Sequence, residues 1–209
     1  MIIVGICGAS GSGKSTLAKR IMEGLSCPCE IIGQDCYYRS YPEIPLEERR
    51  MMNFDDPSIF DYDDLITDVM HLQNGVPITR KGYDYTNHVR LDHPDLLIDP
   101  PKVLILEGIH IFYDKRLREM MDLKVYIQVD ADICLLRRIR RDIKSRGRTI
   151  DSISDQYLST VKPMFEKYVQ NYIKDADIAI LRGGKNQMAI DAICAYLESR
   201  MIKEYDRSV

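Results

Sequence analysis

Five short apolar runs recur along the chain, and the longer segments between them repeat apolar residues every three or four positions. The runs cover residues 2–7, 30–33, 103–106, 125–129 and 177–181. Near-continuous apolar runs are typical of strands buried on both faces of a parallel sheet, and the helical segments between them are typical of crossover helices. The pattern therefore predicts an α/β fold, in which helices cover both faces of a five-stranded parallel sheet.

The helical periodicity predicts helices at residues 14–24, 62–74, 115–121, 131–145, roughly 153–172 and 187–202. Asp61 precedes the second of these as an N-cap, and Gly75 follows it as a stop signal. Residues 75–99 have no helical period and are rich in Tyr, His, Arg and turn residues, so we predict a β-hairpin inserted at the sheet edge at about 76–99. No repeat or linker divides the sequence, and we expect a single domain over residues 1–209.

Composition narrows the class of protein. The chain has 209 residues, 45% of them hydrophobic, and its 29 Lys and Arg against 32 Asp and Glu give a net charge of -3. No global positive field is available to bind duplex nucleic acid or an anionic membrane, so we expect neither partner and a local site for any anion. The six cysteines lack zinc-site spacing and favour reduced thiols in a cytoplasmic protein. We expect the apolar start to be a buried strand rather than a signal peptide or membrane span.

Residues 8–15 read GASGSGKS and match G-x-x-x-x-G-K-[ST] between the first predicted strand and helix. This is the phosphate loop of P-loop NTPases, in which glycines turn backbone N–H groups inward, Lys bridges the terminal phosphates and the Ser hydroxyl can ligate Mg²⁺. We expect the following residues to contact ATP or GTP: Gly8, Ala9, Ser10, Gly11, Ser12, Gly13, Lys14, Ser15 and Thr16. The same loop serves kinases, GTPases, motors and regulators, so it does not identify the reaction.

Two acids follow predicted strands at the edge where the phosphate loop lies. Glu107 ends the run 103–106, and Asp35 follows the run 30–33. The carboxyl ends of parallel strands converge in space, so we expect Ser15, Glu107 and Asp35 to lie together and hold Mg²⁺. Asp35 could also take the proton from an attacking hydroxyl, which is help worth roughly a hundredfold to ten-thousandfold in rate. The alternatives are a solvent-facing acid for Glu107 and a turn cap for Asp35.

Further motifs make the chain resemble the uridine kinases (uridine-cytidine kinases), a family of P-loop kinases. They are QDCYYR at 34–39, NFDDP at 53–57, YDY at 83–85 followed by His88-x-Arg90, LEGIHIFY at 106–113, RRIRRDIKSRGR at 137–148, QY at 156–157 with VKP at 161–163, and RGGKN at 182–186. The resemblance runs nearly end to end. It implies transfer of the γ-phosphate of ATP or GTP, with Mg²⁺, to the 5'-hydroxyl of uridine or cytidine in pyrimidine salvage, by a cytoplasmic homotetramer.

The resemblance also implies roles for single residues. Asp35 resembles the catalytic base, Asp55 suits the ribose hydroxyls, and Tyr83 with His88 suits the pyrimidine base. The residues that resemble nucleoside contacts are Asp35, Tyr38, Phe54, Asp55, Tyr83, His88, Arg141 and Gln156. Those that resemble contacts around the phosphates are Arg138, Arg146 and Arg148.

The arginine-rich segment at 137–148 contains seven cations and one acid, Asp142. On a helix, Arg138 and Arg141 share a face and Arg138 can pair with Asp142 at i+4. We interpret residues 138–156, approximately, as a lid that brings cations to the transferred phosphate and excludes water. The alternatives are a solvated basic face and a weak RNA-binding patch.

Two features depart from the family pattern. Asp56 stands where the family often has His and adds a negative charge beside the expected ribose site, and residues 79–82 are unusually basic. The rival functions are a related kinase of another small alcohol, of the phosphoribulokinase or pantothenate kinase type, and a non-catalytic nucleotide-binding regulator. A phosphorylated acceptor would call for extra basic residues in its pocket, so the Tyr, Phe, His and Asp set argues against the first rival.

Overall fold

The computed structural model of the protein describes residues 1–208, and the side chains of all of these except Pro94 and 204–208. Five parallel strands form the main sheet in the order β2-β5-β1-β6-β7. Their bounds are β1 (Ile2–Gly8), β2 (Cys29–Gly33), β5 (Val103–Glu107), β6 (Leu123–Gln128) and β7 (Ile178–Leu181). The predicted α/β class and five-stranded parallel sheet are confirmed.

The α-helices of the described chain connect these strands. Their bounds are α1 (Lys14–Gly24), α2 (Leu46–Arg50), α3 (Tyr62–Gln73), α4 (Lys115–Glu119), α5 (Ala131–Arg146), α6 (Ile150–Gln156), α7 (Lys162–Lys167) and α8 (Gln187–Ser208). The predicted N-cap is confirmed, because the Asp61 side chain accepts a hydrogen bond from the backbone N–H of Asp64. None of the helices in residues 1–208 has the length and apolar character needed to cross a membrane.

Alternation along the strands divides the core between the two faces of the sheet. Ile3 and Leu104 face a cluster that includes residues of α3 and the aromatic side chains Tyr37 and Phe60. Ile2 and Ile105 face the opposite cluster, which includes residues of α1 and α8. Successive strand residues are thus buried on both faces, which explains why the strands read as continuous apolar runs.

The segment predicted as an inserted hairpin forms the antiparallel strands β3 (Ile78–Asp84) and β4 (Val89–Ile98). Basic residues of the hairpin form ion pairs with acids of α3 and β2. Lys81 Nζ lies 2.8 Å from Asp64 Oδ1 and 2.5 Å from Asp68 Oδ2, and Arg80 pairs with Glu30 at 2.9 Å. The unusual charge of residues 79–82 is therefore used to attach the hairpin.

The prediction of one helix over 153–172 is wrong. The segment is divided among α6, a π-helical stretch (Tyr157–Val161), α7 and a 3₁₀ stretch (Val169–Asp175). Pro163 has no backbone N–H to donate to the turn before it, and the π-helical stretch ends where α7 begins with this proline in its first turn. Helix α2 was not predicted, because its five residues carry no apolar period.

Candidate active site

The phosphate loop lies between the end of β1 and the start of α1, as predicted. Gly11 and Gly13 have φ values of 87° and 102°, a left-handed conformation that favours glycine. Gly13 is the N-cap of α1 and no side chain caps the helix, while Lys14 Nζ donates to the carbonyl of Ala9 at 3.0 Å. The first N–H groups of α1 are thus open to an anion, and the helix dipole favours its negative charge.

A second glycine loop packs against the phosphate loop. Gly183 and Gly184 follow β7, and a Cβ on Gly184 would lie 2.1 Å from the carbonyl oxygen of Gly13. Beside this contact is a side cavity of about 500 Å³. Its lining includes Gly11, Gly13, Lys14, Ser15, Thr16, Arg137, Arg141, Arg182, Gly184 and Lys185. Arg182 and Lys185 had no assigned role, although the RGGKN motif that contains them was a signal for this loop.

The predicted pair of acids converges on the phosphate loop. Ser15 Oγ donates to Glu107 Oε1 at 2.7 Å, and Asp35 lies in the 3₁₀ turn (Gln34–Tyr37) that follows β2. Burial raises the pKa of Glu107, Lys14 opposes this shift, and the Asp35 carboxylate adds to it. The structure therefore brings two carboxylates and one hydroxyl to a single place.

This donor set fits Mg²⁺, which prefers hard oxygen ligands and usually binds one or two carboxylates together with phosphate and water oxygens. Within the described residues, no group of three or more His, Cys, Asp or Glu side chains is arranged as a metal site. Ser15, Asp35 and Glu107 instead supply a partial set of ligands, which an anionic ligand in the phosphate loop would complete.

A main cavity of about 610 Å³ extends from the phosphate loop to the hairpin. All eight residues predicted to contact a nucleoside line it, as do Ser10, Lys14, Ser15 and Glu107 and the predicted arginines 138, 146 and 148. Gly8, Ala9 and Ser12 belong to the phosphate loop but line neither cavity. The cavity thus connects an anion-binding end to an end made mostly of aromatic side chains.

The aromatic end of the cavity is built from two stacked pairs of rings, one of which includes a residue of the hairpin turn. Tyr38 stacks on Phe60 with ring centroids 4.4 Å apart, and from the hairpin turn His88 stacks on Phe54 at 4.6 Å. Partial burial and nearby arginines lower the pKa of His88, so its ring is neutral at neutral pH. The Tyr83 hydroxyl and His88 Nδ1 are buried without a hydrogen-bond partner among the described residues. Such orphaned polar atoms fit a polar ligand that the cavity would receive.

Asp55 lies between this end and the lid segment. Its side chain is nearly buried, with Arg138 at 3.9 Å and the Thr160 hydroxyl at 3.4 Å. Burial raises the pKa of Asp55, and Arg138 opposes that shift. The backbone carbonyl of Asp55 is held by His110, whose Nε2 lies 2.7 Å away. The carboxylate therefore retains acceptor capacity toward a ligand with hydroxyl groups.

The arginines of α5 divide between the two ends of the main cavity. Arg141 Nη2 lies 3.5 Å from Ser10 Oγ of the phosphate loop, whereas Arg138 lies beside Asp55 and donates to Gln156 at 2.8 Å. This geometry favours the reverse of the division that the family resemblance implied for these two residues. Arg148 also donates to Gln156, and the expected i+4 pair between Arg138 and Asp142 is present at 3.5 Å.

The unusual Asp56 does not line the main cavity. Its carboxylate accepts hydrogen bonds from the backbone N–H of Ser58 at 2.8 Å and from the Ser58 hydroxyl at 2.6 Å, which caps a short 3₁₀ turn. Although burial opposes it, these bonds lower the pKa of Asp56. The Asp56 carboxylate thus caps a local turn and does not add its charge to the cavity wall at the expected ribose site.

Comparisons with known proteins identify relatives of the chain by sequence and by fold. The sequence profile of the phosphoribulokinase / uridine kinase family matches residues 3–189. A protein named uridine kinase from Limosilactobacillus reuteri (strain DSM 20016) is 42% identical over 203 residues, covering 97% of this chain and 93% of its own. Another so named, from Listeria innocua serovar 6a, is 44% identical over 203 residues, with 97% of each chain covered. The solved phosphoribulokinase from Rhodobacter spheroides has a TM-score of 0.64 at 17% identity over 86% of this chain and 69% of that one, which shows a shared fold.

Proposed function

Because the chain belongs to the phosphoribulokinase / uridine kinase family and is a nucleoside kinase, we propose that it transfers the γ-phosphate of ATP to the 5'-hydroxyl of uridine or cytidine. The bond between the β- and γ-phosphates breaks, and the products are ADP and either UMP or CMP, as in pyrimidine salvage. The observation that carries the proposal is the main cavity, which joins the phosphate loop to an aromatic end that contains Asp55. The family uses ATP-dependent phosphoryl transfer, and GTP as an alternative donor belongs to the proposal.

The donor nucleotide binds with its phosphates in the loop 8–15. Backbone N–H groups at the start of α1 and Lys14 neutralise the phosphates, and Arg141 adds a cation from the lid side. The side cavity, with Arg182 and Lys185 at its wall, takes the rest of the nucleotide. The contact between Gly184 and the phosphate loop fixes the position of that wall.

The acceptor nucleoside binds at the aromatic end of the main cavity. Tyr38, Phe54 and the hairpin residues Tyr83 and His88 enclose the flat base, and the orphaned polar atoms of the last two are available to its edge. Asp55 accepts hydrogen bonds from the ribose hydroxyls. A deoxyribose would leave a buried carboxylate oxygen unpaired, so the site discriminates against it.

Asp35 is the proposed catalytic base, because it lines the main cavity and its charge acts on both Glu107 at the phosphate end and Asp55 at the aromatic end. It accepts the proton of the 5'-hydroxyl as that oxygen attacks the γ-phosphate. Ser15, Glu107 and Asp35 would hold Mg²⁺, which would neutralise charge on the phosphates. Arg146 and Arg148 line the same cavity and supply cations near the transferred group. Arg138 lies beside Asp55, and Gln156 accepts hydrogen bonds from both Arg138 and Arg148.

The remaining proposals concern organisation. We infer that the hairpin at about 76–99 is the nucleoside-binding insertion of a single domain, and that residues 138–156, approximately, close over the site as a lid. A cytoplasmic location is supported by the six cysteines, all of which are free. A homotetramer is proposed from the family alone, and the proposal that it has no nucleic-acid or membrane partner rests on the net charge of -3.

The direct test measures ATP consumption with a panel of acceptors, with and without Mg²⁺. We expect turnover with uridine or cytidine, weak turnover with deoxyuridine, and none with adenosine, ribulose 5-phosphate or pantothenate. Asp55→Asn is the matched variant, because it keeps the shape of the side chain and removes its charge, and it should reduce the preference for uridine over deoxyuridine. Absence of turnover with both pyrimidine ribonucleosides would reject the proposed function.

A further inference from the structure

A tyrosine of the hairpin turn reaches the proposed catalytic base. The Tyr85 hydroxyl donates a hydrogen bond of 2.7 Å to Asp35 Oδ2, across fifty positions of sequence. Among the described side chains, this is the hydrogen bond that the Asp35 carboxylate receives, and Oδ1 accepts none. Oδ2 of the base is therefore held by the protein, and Oδ1 remains available to accept a proton from the hydroxyl of a substrate.

The hairpin turn holds Tyr85 in place. The Asp84 carboxylate accepts hydrogen bonds from the backbone N–H groups of Thr86 at 2.8 Å and Asn87 at 3.1 Å, and from Asn87 Nδ2 at 2.7 Å. These contacts close a side-chain turn of the kind that Asp commonly forms, which orders the loop between β3 and β4.

The Tyr85 ring is contacted from two sides. Tyr83 packs edge-on with ring centroids 5.2 Å apart, and the Arg146 guanidinium lies 4.0 Å from the Tyr85 ring centroid. The Tyr85 hydroxyl is the donor in the contact with Asp35, because an ionised carboxylate can only accept. Tyr85 thus connects the hairpin and the proposed lid to the base.

We propose that Tyr85 is a positioning residue for phosphoryl transfer, which orients the Asp35 carboxylate so that its free oxygen faces the 5'-hydroxyl of the acceptor. The inference rests on the proposed function, in which Asp35 is the base. The terminal torsion of a carboxylate is broad, so an isolated Asp samples many orientations. A general base must lie within hydrogen-bond reach of its proton, and one hydrogen bond to Oδ2 restricts the carboxylate to such orientations.

The position of Tyr85 in the turn gives this contact a second consequence. Tyr83 and His88, the proposed base-reading residues, belong to the same hairpin. The residues proposed to contact the base and the donor to Asp35 are therefore fixed on one element.

The hydroxyl can be tested separately from the ring. Tyr85 is 39% exposed, and Tyr85→Phe keeps the contacts with Tyr83 and Arg146 while removing only the donor to Asp35. Two matched variants make the same chemical change elsewhere. Tyr83→Phe removes an orphaned hydroxyl at the base end, and Tyr113→Phe changes a tyrosine that lines neither cavity.

Steady-state kinetics with uridine and ATP distinguish the roles. We expect Tyr85→Phe to lower kcat on the order of tenfold, as for loss of one hydrogen bond to a charged group, with both KM values changed by less than about twofold. Tyr83→Phe should mainly raise the KM for uridine, and Tyr113→Phe should behave as the unaltered chain. The thermal unfolding midpoint of Tyr85→Phe should match that of the unaltered chain, because the ring contacts remain.

An unchanged kcat for Tyr85→Phe would overturn the inference while leaving the proposed function intact. If the KM for uridine rose at the same time, Tyr85 would be a substrate contact instead. Absence of uridine-dependent turnover in the unaltered chain would instead reject the proposed function and the inference with it. Full turnover by Asp35→Asn would reject Asp35 as the base, and with it the inference.

Discussion

We expect His110→Gln to lower the free energy of unfolding at neutral pH. We also expect the variant to lose less stability than the unaltered chain when the pH is lowered to mildly acidic values. His110 is fully buried under the main cavity. Its Nε2 lies 2.7 Å from the carbonyl of Asp55, which can only accept, so Nε2 carries the proton. Its Nδ1 therefore accepts from the Tyr172 hydroxyl at 2.9 Å. The neutral ring satisfies both contacts.

The pKa of His110 sets the size of the effect. Burial lowers it from 6.5 to about 4. The unfolded chain binds a proton on this side chain below about pH 6.5 and the folded chain does not, so stability falls as pH falls through this window. From these values, proton binding to His110 alone lowers the free energy of unfolding by about 2 kcal/mol at pH 5. Glutamine does not titrate, so His110→Gln lacks this acid-induced destabilisation.

The assay is chemical denaturation at pH 8 and pH 5 of the unaltered chain, His110→Gln and His71→Gln. His71→Gln controls for removal of a histidine from the exposed surface of α3. At pH 8, His110→Gln should cost about 1–3 kcal/mol through unsatisfied buried partners. Between pH 8 and pH 5 it should lose about 2 kcal/mol less than the unaltered chain. If His110→Gln and the unaltered chain lost equal stability between pH 8 and pH 5, the neutral, buried state of His110 would be refuted.

Three further predictions concern activity. Asp35→Asn should lower kcat by roughly a hundredfold to ten-thousandfold while ATP affinity, measured by calorimetry, stays near that of the unaltered chain, and unchanged turnover would remove Asp35 from the chemistry. His88→Ala removes the ring stacked on Phe54 and should raise the KM for uridine about tenfold; an equal rise in the KM for ATP would contradict a role in acceptor binding. Gly184→Ala would place a Cβ 2.1 Å from the Gly13 carbonyl and should weaken ATP affinity about tenfold or more, whereas normal affinity would show that the loops separate without cost.

The hydrophobic pattern predicted the sheet because its strands are buried on both faces. Each observed strand ends within two residues of its predicted bounds, and α1 coincides with the predicted residues 14–24. The phosphate loop was predictable for a related reason, since its glycines, Lys14 and Ser15 are contiguous. Signals that lie in adjacent positions can be read without knowledge of the tertiary structure.

Contacts between distant segments were not predictable in the same way. The spacing of Arg138 and Arg141 places both on one face of α5, but only the fold shows that one reaches Asp55 and the other Ser10. The hydrogen bond from Tyr85 to Asp35 depends on the orientation of the hairpin, to which the ion pairs of Lys81 with Asp64 and Asp68 contribute. Resemblance to a family located these residues in the site, and it did not describe their mutual geometry.

The environment of Asp55 indicates why the site is built from such contacts. A nearly buried carboxylate whose nearest cation is 3.9 Å away is incompletely compensated, and its raised pKa reflects the cost of that burial. Hydroxyl donors stabilise the charged form of a carboxylate, so a ribose bound at Asp55 would relieve part of this cost. The free protein then bears a local destabilisation that its acceptor removes. Binding energy and selectivity for a ribonucleoside would have the same origin, because a ligand without those hydroxyls leaves the carboxylate as it was.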